Sequence, residues 1–81
     1  MTDAQSRGTL VNLMRAARVA ADITQQEAAD GAPVPRITLA RFEKNAGDVS
    51  AHQLARLLTL YAARGVRIDI LAGTVQITPT T

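Results

Sequence analysis

The sequence predicts a mainly helical domain, four helices followed by a C-terminal β-hairpin. Three observations carry that expectation. Apolar residues recur every three or four positions through the first three quarters of the chain. Two capping boxes, Thr24 with Glu27 and Ser50 with Gln53, mark helix starts. After Gly65 the pattern changes abruptly to period two.

At 81 residues the chain is expected to form one domain, with a modest core and no room for a deep cleft between domains. The balance of 47% hydrophobic and 20% charged residues is that of an ordinary globular protein, which argues against disorder throughout. No apolar run is long enough for a membrane span, and the opening MTDAQSRG has no signal-peptide core, so the expected location is cytoplasmic. Without cysteine there is no disulfide framework, thiolate nucleophile or zinc-finger ligand set. The net charge is only +2, yet all but one of the nine cations are arginine, the side chain best suited to paired contacts with phosphate or guanine.

The elements follow in order. Residues 1–8 read as a flexible N-terminus. Helix one is expected over residues 9–21, where Leu10, Leu13, Met14, Ala17 and Ala21 form a buried stripe. The Thr24 box starts helix two at Gln25, and Gly31 is its expected stop. Pro33 and Pro35 exclude helix from Ala32 and Val34, but Pro35 suits the first turn of helix three, which runs to about Lys44. The loop NAGD precedes the Ser50 cap of helix four, which carries Leu54, Leu57, Leu58 and Tyr61 on one face and ends at Gly65. Val66, Ile68 and Ile70, then Val75 and Ile77, alternate with polar residues in a hairpin over residues 66–78, turning at Ala72 and Gly73, with a tail at 79–81.

Helices two and three are separated by a break too brief to let them part. Small Ala29 allows close approach, and Val34, Leu39 and Phe42 anchor the break and the second helix, the spacing of a helix-turn-helix. On these residues the chain resembles the lambda-repressor-like Cro/cI (XRE) helix-turn-helix family. Its pattern of T-Q-x-E-L-A, a turn, V-S and a helix ending in I-E-x-G is met without a gap by ITQQEAA, Val34, TLARFE and KN. MRAAR at 14–18 resembles the family's first helix and VSAHQLARLLTLY its fourth, so the likeness spans Leu10 to Tyr61. The resemblance implies a four-helix lambda-repressor-like DNA-binding domain over residues 9–65, followed by the hairpin. Departures are also visible. Pro33 stands where the family commonly has glycine at positive φ, so the turn must be remade, with Gly31 as the expected left-handed residue. Pro35 replaces a serine-like cap, Ala28 a larger leucine, and the hairpin an additional helix.

By position in the resemblance, Arg36, Ile37, Thr38 and Arg41 lie at the start and outer face of a recognition helix. Arginines there can bond guanine O6 and N7, while Ile37 and the Thr38 methyl can touch a thymine methyl. Gln25 matches the family's phosphate-contacting glutamine, and Arg15, Lys44 and Asn45 are further candidates for backbone contact. Arg18 and Glu43 match a structural pair that holds the recognition helix. The hairpin residues Val66, Ile68, Ile70, Val75 and Ile77 are expected to form a dimer interface, because an open strand edge can pair with its own copy. The sole histidine, His52, reads as surface. The carboxylates and serines show no catalytic or metal-binding spacing, so neither an enzyme, a cofactor nor a metal is expected. The expected function is a homodimeric transcriptional repressor bound to an inverted-repeat operator in double-stranded DNA. The alternative is a protein-interaction module, such as an antitoxin-type partner-binding protein, using the hairpin and helical surface.

Overall fold

A computed structural model describes residues 3–78, with side chains from residue 8 onward. The chain forms α1 (Asp3–Ala20), α2 (Gln25–Gly31), α3 (Arg36–Glu43), α4 (Ala51–Ala63), β1 (Val66–Asp69) and β2 (Thr74–Ile77). It is mainly helical, with one antiparallel two-stranded sheet at the C-terminal end. Residues 1–2 and the expected tail at 79–81 lie outside the described residues.

Helix α1 begins six residues before the expected start at Thr9, so the segment read as a flexible N-terminus is helical from Asp3. None of residues 3–8 is proline, and the one glycine among them, Gly8, has open space around it. Ala21 and Asp22 end this helix. Asp22 takes φ 59°, and the amides of Asp22 and Ile23 return to the carbonyls of Val19 and Arg18. That pattern satisfies carbonyls the helix would otherwise leave open.

Both capping boxes form as sequence spacing requires. Thr24 Oγ1 accepts from the Glu27 amide at 3.1 Å while Glu27 Oε1 accepts from the Thr24 amide at 2.9 Å. Ser50 and Gln53 make the same reciprocal pair at 3.1 and 2.9 Å. These bonds are local and need only the right two side chains three residues apart.

The turn between α2 and α3 is built differently from the expectation. Gly31 is the last residue of α2 and does not adopt a left-handed conformation. Ala32 follows at φ −98°, donating to Ala28 O, and the Val34 amide donates to Ala29 O at 2.9 Å. The turn is thus closed without any positive φ, which suits the proline at 33. Gly31 serves packing instead: a Cβ there would lie 3.1 Å from Leu60 Cδ1 of α4.

Helix α3 packs on both α1 and α2, α4 meets α2 and β1, and both strands of the hairpin lie against α1. The core joins Val11, Met14 and Ala17 of α1 to Leu39 and Phe42 of α3, and Leu57 and Tyr61 of α4. Val11 is deeper than Leu10, which is only half-buried, a shift within the same helical face.

The hairpin pairs Val66 with Ile77 and Ile68 with Val75. Its connection is the four residues 70–73, with Gly73 at φ 69°, in place of a two-residue turn at Ala72 and Gly73. Asp69 supplies the reason, since its Oδ1 accepts the Ala72 amide at 3.0 Å and closes the loop after β1. The five residues expected at a dimer interface are therefore divided. Val66 is buried in the chain's own core, and Ile68 and Val75 pack partly against it. Ile77 is exposed on β2, and Ile70 belongs to the turn and not to a strand edge.

Candidate nucleic-acid interface

Helix α3 presents two unlike faces because of the order RITLARFE. Leu39, Phe42 and Glu43 point inward, while Arg36, Ile37 and Arg41 are exposed and Thr38 is half-buried. Arg36, Ile37, Arg41 and the following Lys44 fall within one arc of the helix at about 100° per residue. Ile37 remains 63% exposed, beside exposed Arg36 and half-buried Thr38. Pro35 is the N-cap and offers no side-chain acceptor, so the first N–H groups of α3 have no cap bond.

The only carboxylate of α3 is turned away from this surface. Glu43 is 3% exposed and is gripped by α1: Arg18 Nε donates to Oε2 at 2.8 Å and Arg18 Nη2 to Oε1 at 3.0 Å. Two parallel bonds from a planar guanidinium fix orientation as well as charge. Arg18 Nη1 also donates to Ile23 O at 2.9 Å, tying the start of α2 to the same guanidinium. From α2, Gln25 Nε2 donates to Glu43 Oε1 at 3.2 Å. From α1, Arg15 Nη1 donates to the Glu43 carbonyl at 3.2 Å and Nη2 to Asn12 Oδ1 at 3.1 Å. Glu43 is thereby the point where α1, α2 and α3 are bonded together.

The structure thus brings Arg18 and Glu43 into contact and gives Gln25 and Arg15 positions that sequence reasoning missed. Each was expected to face phosphate. Each also bonds Glu43, Gln25 at its carboxylate and Arg15 at its main-chain carbonyl. An amide nitrogen carries two hydrogens and a guanidinium five, so both retain donors beyond these bonds. No signal in the sequence marks the Gln25–Glu43 bond, which spans 18 residues and depends on how α2 meets α3.

Lys44 and Asn45 lie just past the helix and are exposed. Asn45 takes φ 58°, its amide donating to Phe42 O at 3.0 Å, while the Ala46 amide donates to Arg41 O at 2.8 Å. Asparagine tolerates this left-handed geometry better than most residues, so its type is explained by the helix end. Behind the face lies Tyr61, buried, with a hydroxyl that has no partner among the described residues. Its pKa is pushed up to about 12, first by burial and then by the negative charge of Glu43.

Among the described residues there is no group of histidine and carboxylate side chains that could hold a metal ion, and no helix is long and apolar enough to cross a membrane. Comparison with protein-family models, curated proteins and solved structures returns no match to this chain.

Proposed function

We propose that this protein is a sequence-specific regulator of transcription that binds double-stranded DNA in the cytoplasm, a non-enzymatic repressor of the lambda-repressor-like helix-turn-helix type. The observation that carries the reading is the surface of α3. Its exposed side carries Arg36, Ile37 and Arg41 and leads to Lys44, while its one carboxylate is buried against Arg18. A short helix with cations outward and its anion withdrawn suits a polyanion, and an α-helix fits the major groove.

In this reading α3 enters the groove with its N-terminal half toward the bases. Arg36 and Arg41 bond guanine, and Ile37 with the Thr38 methyl meets thymine methyls. Gln25 and Arg15 use their remaining donors on the phosphates beside α3, and Lys44 and Asn45 add contacts beyond its end. The Glu43 clamp fixes α3 on the scaffold, so little order has to be gained on binding. Two copies related by a two-fold axis place their α3 helices about 34 Å apart and read an inverted repeat. The open edge of the hairpin is the element that joins them, with exposed Ile77 beside it.

The test is selection of bound duplexes from a random DNA pool, with affinity followed against salt. An enriched inverted repeat whose binding falls steeply with salt supports the reading. A pool without enrichment rejects it and leaves a protein-interaction module.

A further inference from the structure

Among the described residues, two apolar surfaces have opposite shapes. The first is convex. At the hairpin tip Leu71 is fully exposed and Ile70 is 56% exposed. The second is concave: a groove of about 480 Å³ between the end of α2 and the outer side of α4, walled by Gly31, Pro33, Leu60 and Ala63. Its polar rim includes His52 and Arg56, and no carboxylate lines it among the described residues.

We infer that the hairpin tip of one copy seats in the α2–α4 groove of a second copy. Apolar shape is matched by charge. Asp69 immediately precedes Ile70 and is the carboxylate of the hairpin, and it arrives with the tip at a rim bearing Arg56. The bond from the Ala72 amide to Asp69 Oδ1 holds the loop in the shape that presents Ile70 and Leu71 together. Small Gly31 and Ala63 line the groove together with apolar Leu60, and its volume of about 480 Å³ has room for a leucine-sized knob. A knob and a groove at different places on one molecule make a heterologous contact, distinct from strand pairing across a two-fold axis. The residues used lie outside the proposed DNA face, so the contact is measured without DNA and stands apart from that reading.

The chain has no cysteine, which makes the contact directly addressable. A tagged Leu71→Cys protein is mixed with untagged Ala63→Cys protein and treated with a short bismaleimide. The inference expects a hetero-linked product well above that formed with Val19→Cys, an exposed control on α1. Adding Arg56→Glu to the Ala63→Cys partner should lower the yield. In sedimentation, Leu71→Asp, at an exposed position in the turn, should weaken self-association about tenfold or more, since one buried leucine contact is lost. Linking no better than the Val19 control, or Leu71→Asp associating like the native chain, overturns the inference, as does a native chain that stays monomeric at high concentration.

Discussion

Replacing Arg18 by methionine tests the centre of the structure. The substitution keeps the aliphatic stem and removes the guanidinium, which supplies two bonds to the Glu43 carboxylate at 2.8 and 3.0 Å and one to Ile23 O at 2.9 Å. Glu43, 3% exposed, then keeps Gln25 at 3.2 Å as its remaining side-chain donor among the described residues. Breaking one side of a buried pair costs about 3 to 5 kcal/mol, most of it from the stranded charge. A small domain has only about 5 to 15 kcal/mol in total, so Arg18→Met should leave the protein near the edge of folding. Arg18→Met with Glu43→Leu removes the stranded charge and should be more stable than Arg18→Met alone. Urea unfolding followed by far-ultraviolet circular dichroism gives all four corners of the cycle, a suitable probe because the chain has no tryptophan. A coupling energy of about 2 kcal/mol or more is expected. Losses that add within about 0.5 kcal/mol would remove the pair from the account of how α3 is held.

Other outcomes follow from the same geometry. Arg36→Ala and Arg41→Ala should each lose about 1 to 3 kcal/mol of base discrimination at different positions of a half-site, and unchanged preference in both would defeat the recognition scheme. Gln25→Ala should weaken all DNA sequences about equally and also lower stability, because it removes a bond to Glu43. Tyr61→Phe should be neutral or stabilising by up to about 1 kcal/mol at pH 7, since the buried hydroxyl has no partner among the described residues. The native protein should lose stability as pH rises from about 10 to 12, because the unfolded tyrosine ionises while the folded one stays protonated, and Tyr61→Phe should lack this alkaline loss. The Glu27 carboxyl is held below its ordinary value by its bonds with Thr24, so its stabilisation is present above that ordinary value and fades as pH falls through the lowered one; Glu27→Gln should flatten that acid limb. Sedimentation showing a monomer at micromolar concentration, both free and on an enriched operator, would reject dimerisation through the hairpin edge.

What the sequence determined by itself is what short-range chemistry controls. The reciprocal bonds of Thr24 with Glu27 and Ser50 with Gln53 span three residues, and the stripes of α1 and α4 follow from helical period, so these elements are legible without tertiary knowledge. The hairpin follows from alternation, although its turn does not, because the Asp69 bond that lengthens the loop competes with an equally plausible Ala72–Gly73 turn. The pairing of Arg18 with Glu43 came from a family resemblance; 25 residues of separation give no local signal for it. Tertiary structure alone decided that Glu43 is buried, that Gln25 and Arg15 converge on it, that Gly31 faces Leu60 and takes no left-handed turn, and that Val66 belongs to the core while Leu71 stays outside. The physical reason is desolvation. Whether a charge or methyl group loses its water depends on which surfaces meet, and α1, α3 and α4 meet through contacts that no local pattern encodes.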